Sequence, residues 1–289
     1  MATGVEINRA NITLPPEISA EVLQKTQEAS AVMSLSRQIG LPGRGAAIPV
    51  ITSDPEAAWV GETEQKPVSK PGLGTKIMSA YKLAVIVPFS DEFRRDADTL
   101  YNAIVQRIPN ALGAQFDATV VGAVQAPGSN FDDFASCEKQ EIGTDAYAGL
   151  VAADTDIAAH GGILNGFALA PQGKGALLAA VDGNKRPLFI NSVAEGAIPQ
   201  ILGAPVYMNK GLYDGANDVV GIAGDWSQAM YGTVEGVQIS LSDQGVLFDG
   251  QNDPISLFQQ NMFAVRAEIE VGFRADTDCF NLLTVEAES

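Results

Sequence analysis

Hydrophobic positions recur along the chain with two different periods, and each change of period marks an element. From Glu17 to Met33, Ile18, Val22, Ala29 and Met33 fall on one helical face, which predicts a short amphipathic helix. The residues before it, 1–16, are polar and irregular, end in Leu14-Pro15-Pro16, and read as an extended arm. Residues 44–52 form an apolar run that predicts a strand. Ile77–Phe89 predicts another, with Ser90-Asp91 as an N-cap for a long helix. Phe93, Ala97, Leu100, Ile104, Ile108, Leu112, Phe116, Val120 and Val124 then keep three- and four-residue spacing. A continuous helix over that stretch would be roughly 50 Å long at 1.5 Å per residue. Pro109 lies inside it and should kink or divide it.

The second half mixes shorter elements. Asp145–Ala159 and Gly173–Val181 read as helices and Gly166–Leu169 as a strand, with glycine-rich turns through 182–236. Val237, Ile239 and Leu241 share one face of a strand. Val265, Ala267, Ile269, Val271 and Phe273 share one face of a longer strand, with Arg266, Glu268, Glu270 and Arg274 on the other. The class is α+β, without an internal repeat at a solenoid period.

One stretch breaks the pattern. Residues 53–76 carry Asp54, Glu56, Glu62, Glu64, Lys66, Lys70 and Lys76 among Pro55, Pro67, Pro71, Gly72 and Gly74. Their only strongly apolar patch is Trp59-Val60, too little for a core, so a long two-stranded loop that must lie on something else is expected.

Composition narrows the function. The 289 residues suit one large domain or two interleaved ones, and 46% hydrophobic residues can bury a sizeable core. A charged fraction of 18% is low for a solitary monomer and fits a surface partly covered by partners. The formal net charge of −17 argues against a protein that grips nucleic acid and suits a surface that faces packed DNA without adhering to it. No apolar run approaches the ~18 residues of a membrane span. Residues 1–11 lack the basic and apolar regions of a secretory signal, so synthesis in the cytoplasm is expected.

Chemistry is sparse. Cys137 and Cys279 match no metal or redox spacing and read as reduced, mostly buried thiols. The one histidine, His160 in Ala-Ala-His-Gly-Gly, reads as the cationic end of a helix. There is no phosphate loop and no nucleophile elbow. The acid clusters Asp132-Asp133 and Asp243/Asp249/Asp253 read as solvated loop carboxylates. We expect no catalytic residue, no metal and no cofactor.

Several stretches resemble landmarks of a known family. Leu14-Pro15-Pro16-Glu17-Ile18 resembles the entry to an N-terminal helix. Ala58-Trp59-Val60-Gly61-Glu62, Lys82-Leu83-Ala84 and Ser90-Asp91-Glu92 resemble an extended loop running into a spine helix, and Asp117-Ala118 with Gly122 resembles the end of that spine. Gly203-Ala204-Pro205-Val206, Gly224-Asp225-Trp226 and Phe258-x-x-Asn261 with Ala264-Val265-Arg266-Ala267 complete the series. In this order, over nearly the whole chain, they resemble the Hong Kong 97-type fold of tailed-bacteriophage major capsid proteins. Departures are Glu270 where relatives often carry arginine, Cys279 before Phe280 where alanine is usual, and Pro109 within the spine.

The resemblance implies an N-terminal arm and helix over 1–33, a peripheral-domain strand over 34–52, an extended loop over 53–80, and a peripheral domain with the spine helix over 81–143. An axial domain over 144–257 and peripheral-domain strands over 258–289 complete it. It implies a non-enzymatic subunit that forms pentamers and hexamers of an icosahedral or elongated head enclosing double-stranded DNA. Assembly would take place in the host cytoplasm and end in the virion, with separate scaffold, portal and decoration proteins as partners. The extended loop, with Trp59, Glu62, Glu64, Lys66, Lys70 and Lys76, would contact a neighbouring subunit. Some relatives weld a loop lysine to a neighbouring asparagine beside a glutamate. Lys66, Lys70 or Lys76 with Asn261 and Glu268 resemble that set. An encapsulin-type compartment, holding cargo enzyme and no DNA, is the alternative with the same fold. An acidic hydrolase, or a decoration or tail protein, is the alternative from another class.

Overall fold

The computed structural model describes residues 16–43, 45–53, 59–60, 72–92, 97–182, 186–189, 200–248 and 254–285. The chain opens with α1 (Pro16–Ala29) and α2 (Ala31–Leu35), then β1 (Arg37–Gly40), β2 (Ala46–Ser53), β3 (Gly72–Met78) and β4 (Tyr81–Ser90). The spine, α3 (Ala97–Val121), leads to β5 (Glu138–Glu141), α4 (Ala146–Ala159), β6 (Gly166–Leu169) and α5 (Pro171–Ala179). Then come β7 (Gln200–Ile201), β8 (Ala204–Met208), β9 (Val219–Gly224), β10 (Ala229–Thr233) and β11 (Gln238–Ser242). The last are β12 (Val246–Phe248), β13 (Pro254–Ser256), β14 (Met262–Ala275) and β15 (Phe280–Thr284).

The long alternating strand organises the first sheet. One edge of β14 pairs antiparallel with β4 over 262–271, and the other pairs with β11 and then β10, to which β1 adds in parallel. A six-stranded sheet runs β5-β15-β9-β6-β8-β7, with α4 and α5 packed on it. Two hairpins, β2-β3 and β12-β13, stand as separate two-stranded ribbons.

The sheets cut across the sequence segments expected to be axial and peripheral. Phe280–Thr284 lies in the six-stranded sheet, whereas β10 and β11, from the stretch expected to be axial, flank β14. Strand pairing is set by partners distant in sequence, which a linear division does not see.

Three apolar clusters hold the fold. Val22, Ile108 and Leu112 join α1 and the spine to Ile239, Phe263, Val265 and Ile269 of the first sheet. Leu150, Ile157, Phe167, Leu169, Leu177 and Leu283 form the core of the second sheet. Between them lies an aromatic seam: Phe134 stacks on Phe280 at 4.5 Å and meets Phe273 and Trp226 edge-on at 5.7 and 6.3 Å.

Several expectations need correction. The first helix does not run to Met33. Ser30 takes extended backbone (φ −89°, ψ 125°) and caps α2 by accepting from Met33 N–H, so two helices replace one. The spine has 25 residues, so about 37 Å, and Pro109 neither ends nor divides it. A mid-helix proline costs about 3 kcal/mol, which burial of Ile108 and Leu112 beside it, about 1.5–3 kcal/mol each, offsets. Ser90 ends β4, and its Oγ accepts from Glu92 N–H at 3.4 Å; the described part of the spine starts at Ala97, and residues 93–96 lie outside the described set. The strand expected over 77–89 is broken at 79–80 because β3 pairs with β2 and β4 with β14. The helix expected over 173–181 is α5, moved two residues earlier with Pro171 in its first turn.

The helix over 146–159 does have Asp145 as its N-cap, accepting from Ala148 N–H at 3.0 Å, and His160 as its C-cap. The spine stops at Gly122 (φ +91°), where an added Cβ would lie 2.6 Å from that of Ala135.

Candidate functional site

The hairpin β2-β3 is antiparallel from Ala46↔Met78 to Ser53↔Gly72, and its root is tied to the body by charge. Arg274, on the polar face of β14, donates through Nε and Nη2 to the Ile77 carbonyl at 2.8 and 2.6 Å. Its Nη1 donates to Asp132 Oδ1 at 2.5 Å, and its Nη2 also to Asn130 Oδ1 at 3.1 Å. Asp132 Oδ2 accepts from Ala275 N–H at 3.1 Å, and Lys76 Nζ donates to the Ala275 carbonyl at 2.9 Å. Gly45 (φ +83°) lets the strand pass the Met78 carbonyl, which would lie 2.5 Å from a Cβ there. Asp132 is therefore not a solvated loop acid. It is the counter-ion of a clamp, and the signal for it was Arg274 on an otherwise regular polar face.

Beyond this root, Trp59 is fully exposed (103%) and Val60 is exposed as well, so the indole is not packed into the described body of the chain. Glu62, Glu64, Lys66 and Lys70 lie outside the described residues. Lys76, expected to reach a neighbour, instead holds its own chain at the clamp, 3.9 Å from Asp132.

Asn261 and Glu268 are not brought together within one chain. Asn261 sits in a left-handed turn (φ +51°) just before β14, exposed, with its carbonyl accepting from Asp91 N–H at 2.9 Å. Glu268 lies on β14, roughly 20 Å further along at about 3.3 Å per residue. Glu268 is held by Arg266 at 3.2 Å and Lys82 at 3.7 Å, and Lys82 also approaches Glu270 at 3.7 Å.

Near this strip lies an open apolar groove of about 180 Å³ between the C-terminal half of the spine and the sheet. Tyr81, Leu83, Phe116 and Phe131 line it, with Thr119, Val124 and Gln125 at its rim. Its residues are spread from 81 to 271, so no local motif announces it.

A buried carboxylate joins the N-terminal helices to the spine. Asp117, on α3, accepts from Ser30 Oγ at 2.5 Å, Ala31 N–H at 2.9 Å and Val32 N–H at 3.3 Å. These bonds favour the ionised form, yet complete burial outweighs them and pushes its pKa up to about 7. Nearby, Asn209 Nδ2 donates to the Ala29 carbonyl at 2.5 Å, tying the turn after β8 to the same junction.

His160 Nδ1 lies 2.9 Å from the Asp156 carbonyl and 3.8 Å from its carboxylate. The Cys137 thiol is pushed up to about 12, by burial first and then by Asp133 and Asp278. Cys279 is also raised, again chiefly by burial. Among the described residues, no group of three or more His, Cys, Asp and Glu is arranged to hold a metal ion. No described helix is long and apolar enough to cross a membrane.

Residues 10–278 match the family model described as Phage capsid family. The chain is 27% identical to the probable major capsid protein gp17 of Mycobacterium phage D29, over 94% of this chain and 89% of that one. The likeness to its namesake in Mycobacterium phage L5 is the same, 27% over 94% and 89%. A solved chain from Gordonia phage Cozz superposes with a TM-score of 0.71 at 23% identity, covering 90% of this chain and 87% of that one.

Proposed function

The chain belongs to the phage capsid family, and from that premise we propose that it is a major capsid protein whose copies close into pentamers and hexamers of a head around double-stranded DNA. The role is structural, and the molecule's place is the virion. The observation that carries this reading is the β2-β3 hairpin. It is clamped at its root by Arg274 and Asp132, yet it presents a fully exposed Trp59 that the described body of the chain does not cover. A large indole in water is a contact awaiting a partner, and aromatic anchors dominate protein interfaces. Exposed ion pairs contribute only ~0–1 kcal/mol each. The mixed charges of 53–80 therefore set register between neighbours, and the tryptophan supplies strength.

The six-stranded sheet with α4 and α5 is the part that surrounds the capsomer axis, and the β14 sheet with the spine is the peripheral part. A net charge of −17 leaves the packaged DNA unbound and mobile. Assembly in the host cytoplasm, with separate scaffold, portal and decoration proteins, completes the proposal. An encapsulin-type shell is the less favoured reading, since the relatives are named as phage capsid proteins.

Covalent joining is a further part of the proposal. The amine of Lys66 or Lys70 attacks the side-chain amide carbon of a neighbour's Asn261, forming an isopeptide bond and releasing ammonia, near a Glu268 carboxylate. Lys76 is less suited, because its own chain holds its amine. A ladder of multimers on a denaturing gel of assembled particles is expected, and a single monomer band dismisses the step.

Negative-stain microscopy of the expressed protein tests the main reading. Closed shells are expected, and Trp59→Ala should give soluble subunits without stable shells. Heat-resistant, normal particles from Trp59→Ala would remove the tryptophan from the argument. A monodisperse monomer under every ionic condition would remove the assembly reading itself.

A further inference from the structure

We propose that the six-stranded sheets of adjacent copies join end to end, the β7-β8 edge of one resting on the outer face of α4 of the next. This rests on the reading that copies of the chain associate. The β7-β8 edge carries two local penalties. Its two-residue turn places Leu202 (φ +49°) and Gly203 (φ +82°) in left-handed backbone, where asparagine or glycine is favoured and leucine is strained. That leucine side chain is also exposed, with Tyr207 and Met208 exposed beyond it. β7 covers β8 only at Ala204 and Pro205, so among the described residues 206–208 have no strand partner on that side. Open sheet edges are ordinarily blunted by lysine or another charge, and 200–209 contain none.

The receiving surface is α4. Its buried face, with Ala146, Leu150, Ala153 and Ile157, packs on the sheet. The opposite face presents Ala148, Val151, Ala152 and Thr155 to solvent, with Tyr147 exposed at its start. The helix's two charges, Asp154 and Asp156, fall to either side of that face at about 100° per residue. A helix that is apolar all round is one that is covered all round. Its small outward side chains leave room for knobs such as Leu202 and Tyr207.

Charge selects the occupant. A chain with a net charge of −17 repels its own copies, so they approach most closely where both surfaces are uncharged, as these two are. Topology sets the two surfaces apart. β7 and β8 close one end of the order β5-β15-β9-β6-β8-β7, whereas α4 lies over β5, β15 and β9. The six strands span about 24 Å at roughly 4.8 Å per spacing, so the edge faces away from its own α4. A contact between unlike surfaces of identical subunits propagates head to tail and closes into a ring where the rotation allows, which suits pentamers and hexamers alike.

The test places a photo-reactive benzoyl-phenylalanine at position 207 of isotopically heavy full chains. Particles assembled from these as a minority among unmodified light copies are irradiated and digested for mass spectrometry. Mixed-isotope adducts on the peptide spanning 146–159 are expected. Leu202→Asn suits the turn and removes the apolar contact. It should hold or raise the urea midpoint of the dilute subunit, yet raise about tenfold the concentration at which particles form, the scale of losing one interface anchor. Adducts within one chain, adducts elsewhere on the neighbour, or particle formation unaffected by Leu202→Asn each overturn this contact and leave shell formation standing. A lowered midpoint also overturns it, because the leucine would then serve its own fold. Failure of the unmodified chain to form particles instead removes the capsid reading beneath it.

Discussion

The Asp117 carboxylate offers the sharpest measurement, because its burial makes one titration visible against many. Its pKa in the folded chain, about 7, lies above the ordinary value of 3.8. The folded protein therefore holds this proton more tightly than the unfolded chain does. The stability it contributes is fully present below about pH 3.8 and is lost as pH rises through about 7. At about 1.4 kcal/mol per pH unit, the gap corresponds to roughly 4 kcal/mol. Asp117→Asn removes the charge and keeps the shape, but one amide N–H must then face the donors of Ser30, Ala31 or Val32. That mismatch costs about 1–3 kcal/mol at every pH. Urea unfolding of dilute, unassembled subunits, followed through the fluorescence of buried Trp226, measures both curves. The wild-type chain should lose roughly 3 kcal/mol more than Asp117→Asn between pH 4.5 and 8.5, and the two curves should converge or cross toward the alkaline end. All other carboxylates contribute to both proteins alike. Parallel curves would refute the reasoning and show that the three hydrogen bonds, not burial, govern this group.

Two further predictions concern the clamp and the thiols. Arg274→Ala leaves the Asp132 carboxylate short of its main partner. It should lower stability by about 2–3 kcal/mol, below the 3–5 of a fully buried broken pair because both side chains keep some water contact. Hydrogen exchange should rise first at Ile77 and its strand partner Ala47, and unchanged exchange there would mean that backbone pairing alone holds the root. Cys137, with its thiol near 12, should react with a disulfide reagent at pH 8 at least about 100-fold more slowly in the folded than in the unfolded subunit. Equal rates would place that side chain in solvent.

Much of this architecture was legible from periodicity. The alternation of Val265 to Phe273 against Arg266 to Arg274 is β14, the heptad-like stripe from Ile108 to Val120 is the spine's buried face, and Asp145 caps the helix it precedes. What stayed hidden was fixed by distant partners. The break at Ser30 depends on Asp117, 87 residues away, and the break after Met78 on which strand each half pairs with. The site divides in the same way. Trp59 stood out because Trp59-Val60 is the only strongly apolar patch in a charged, proline-marked stretch. The groove beside the sheet and the clamp at the hairpin root are assembled from segments that meet only in three dimensions.

The aromatic seam has a mechanical consequence. Phe134, Phe273, Phe280 and Trp226 interlock the two sheets through stacked and edge-on rings at 4.5 to 6.3 Å, and close-packed interiors resist gradual deformation. A subunit riveted along its midline moves as one plate under load. Deformation then falls on the β2-β3 ribbon and on the helices hooked to Asp117, which lie outside that interlocked seam.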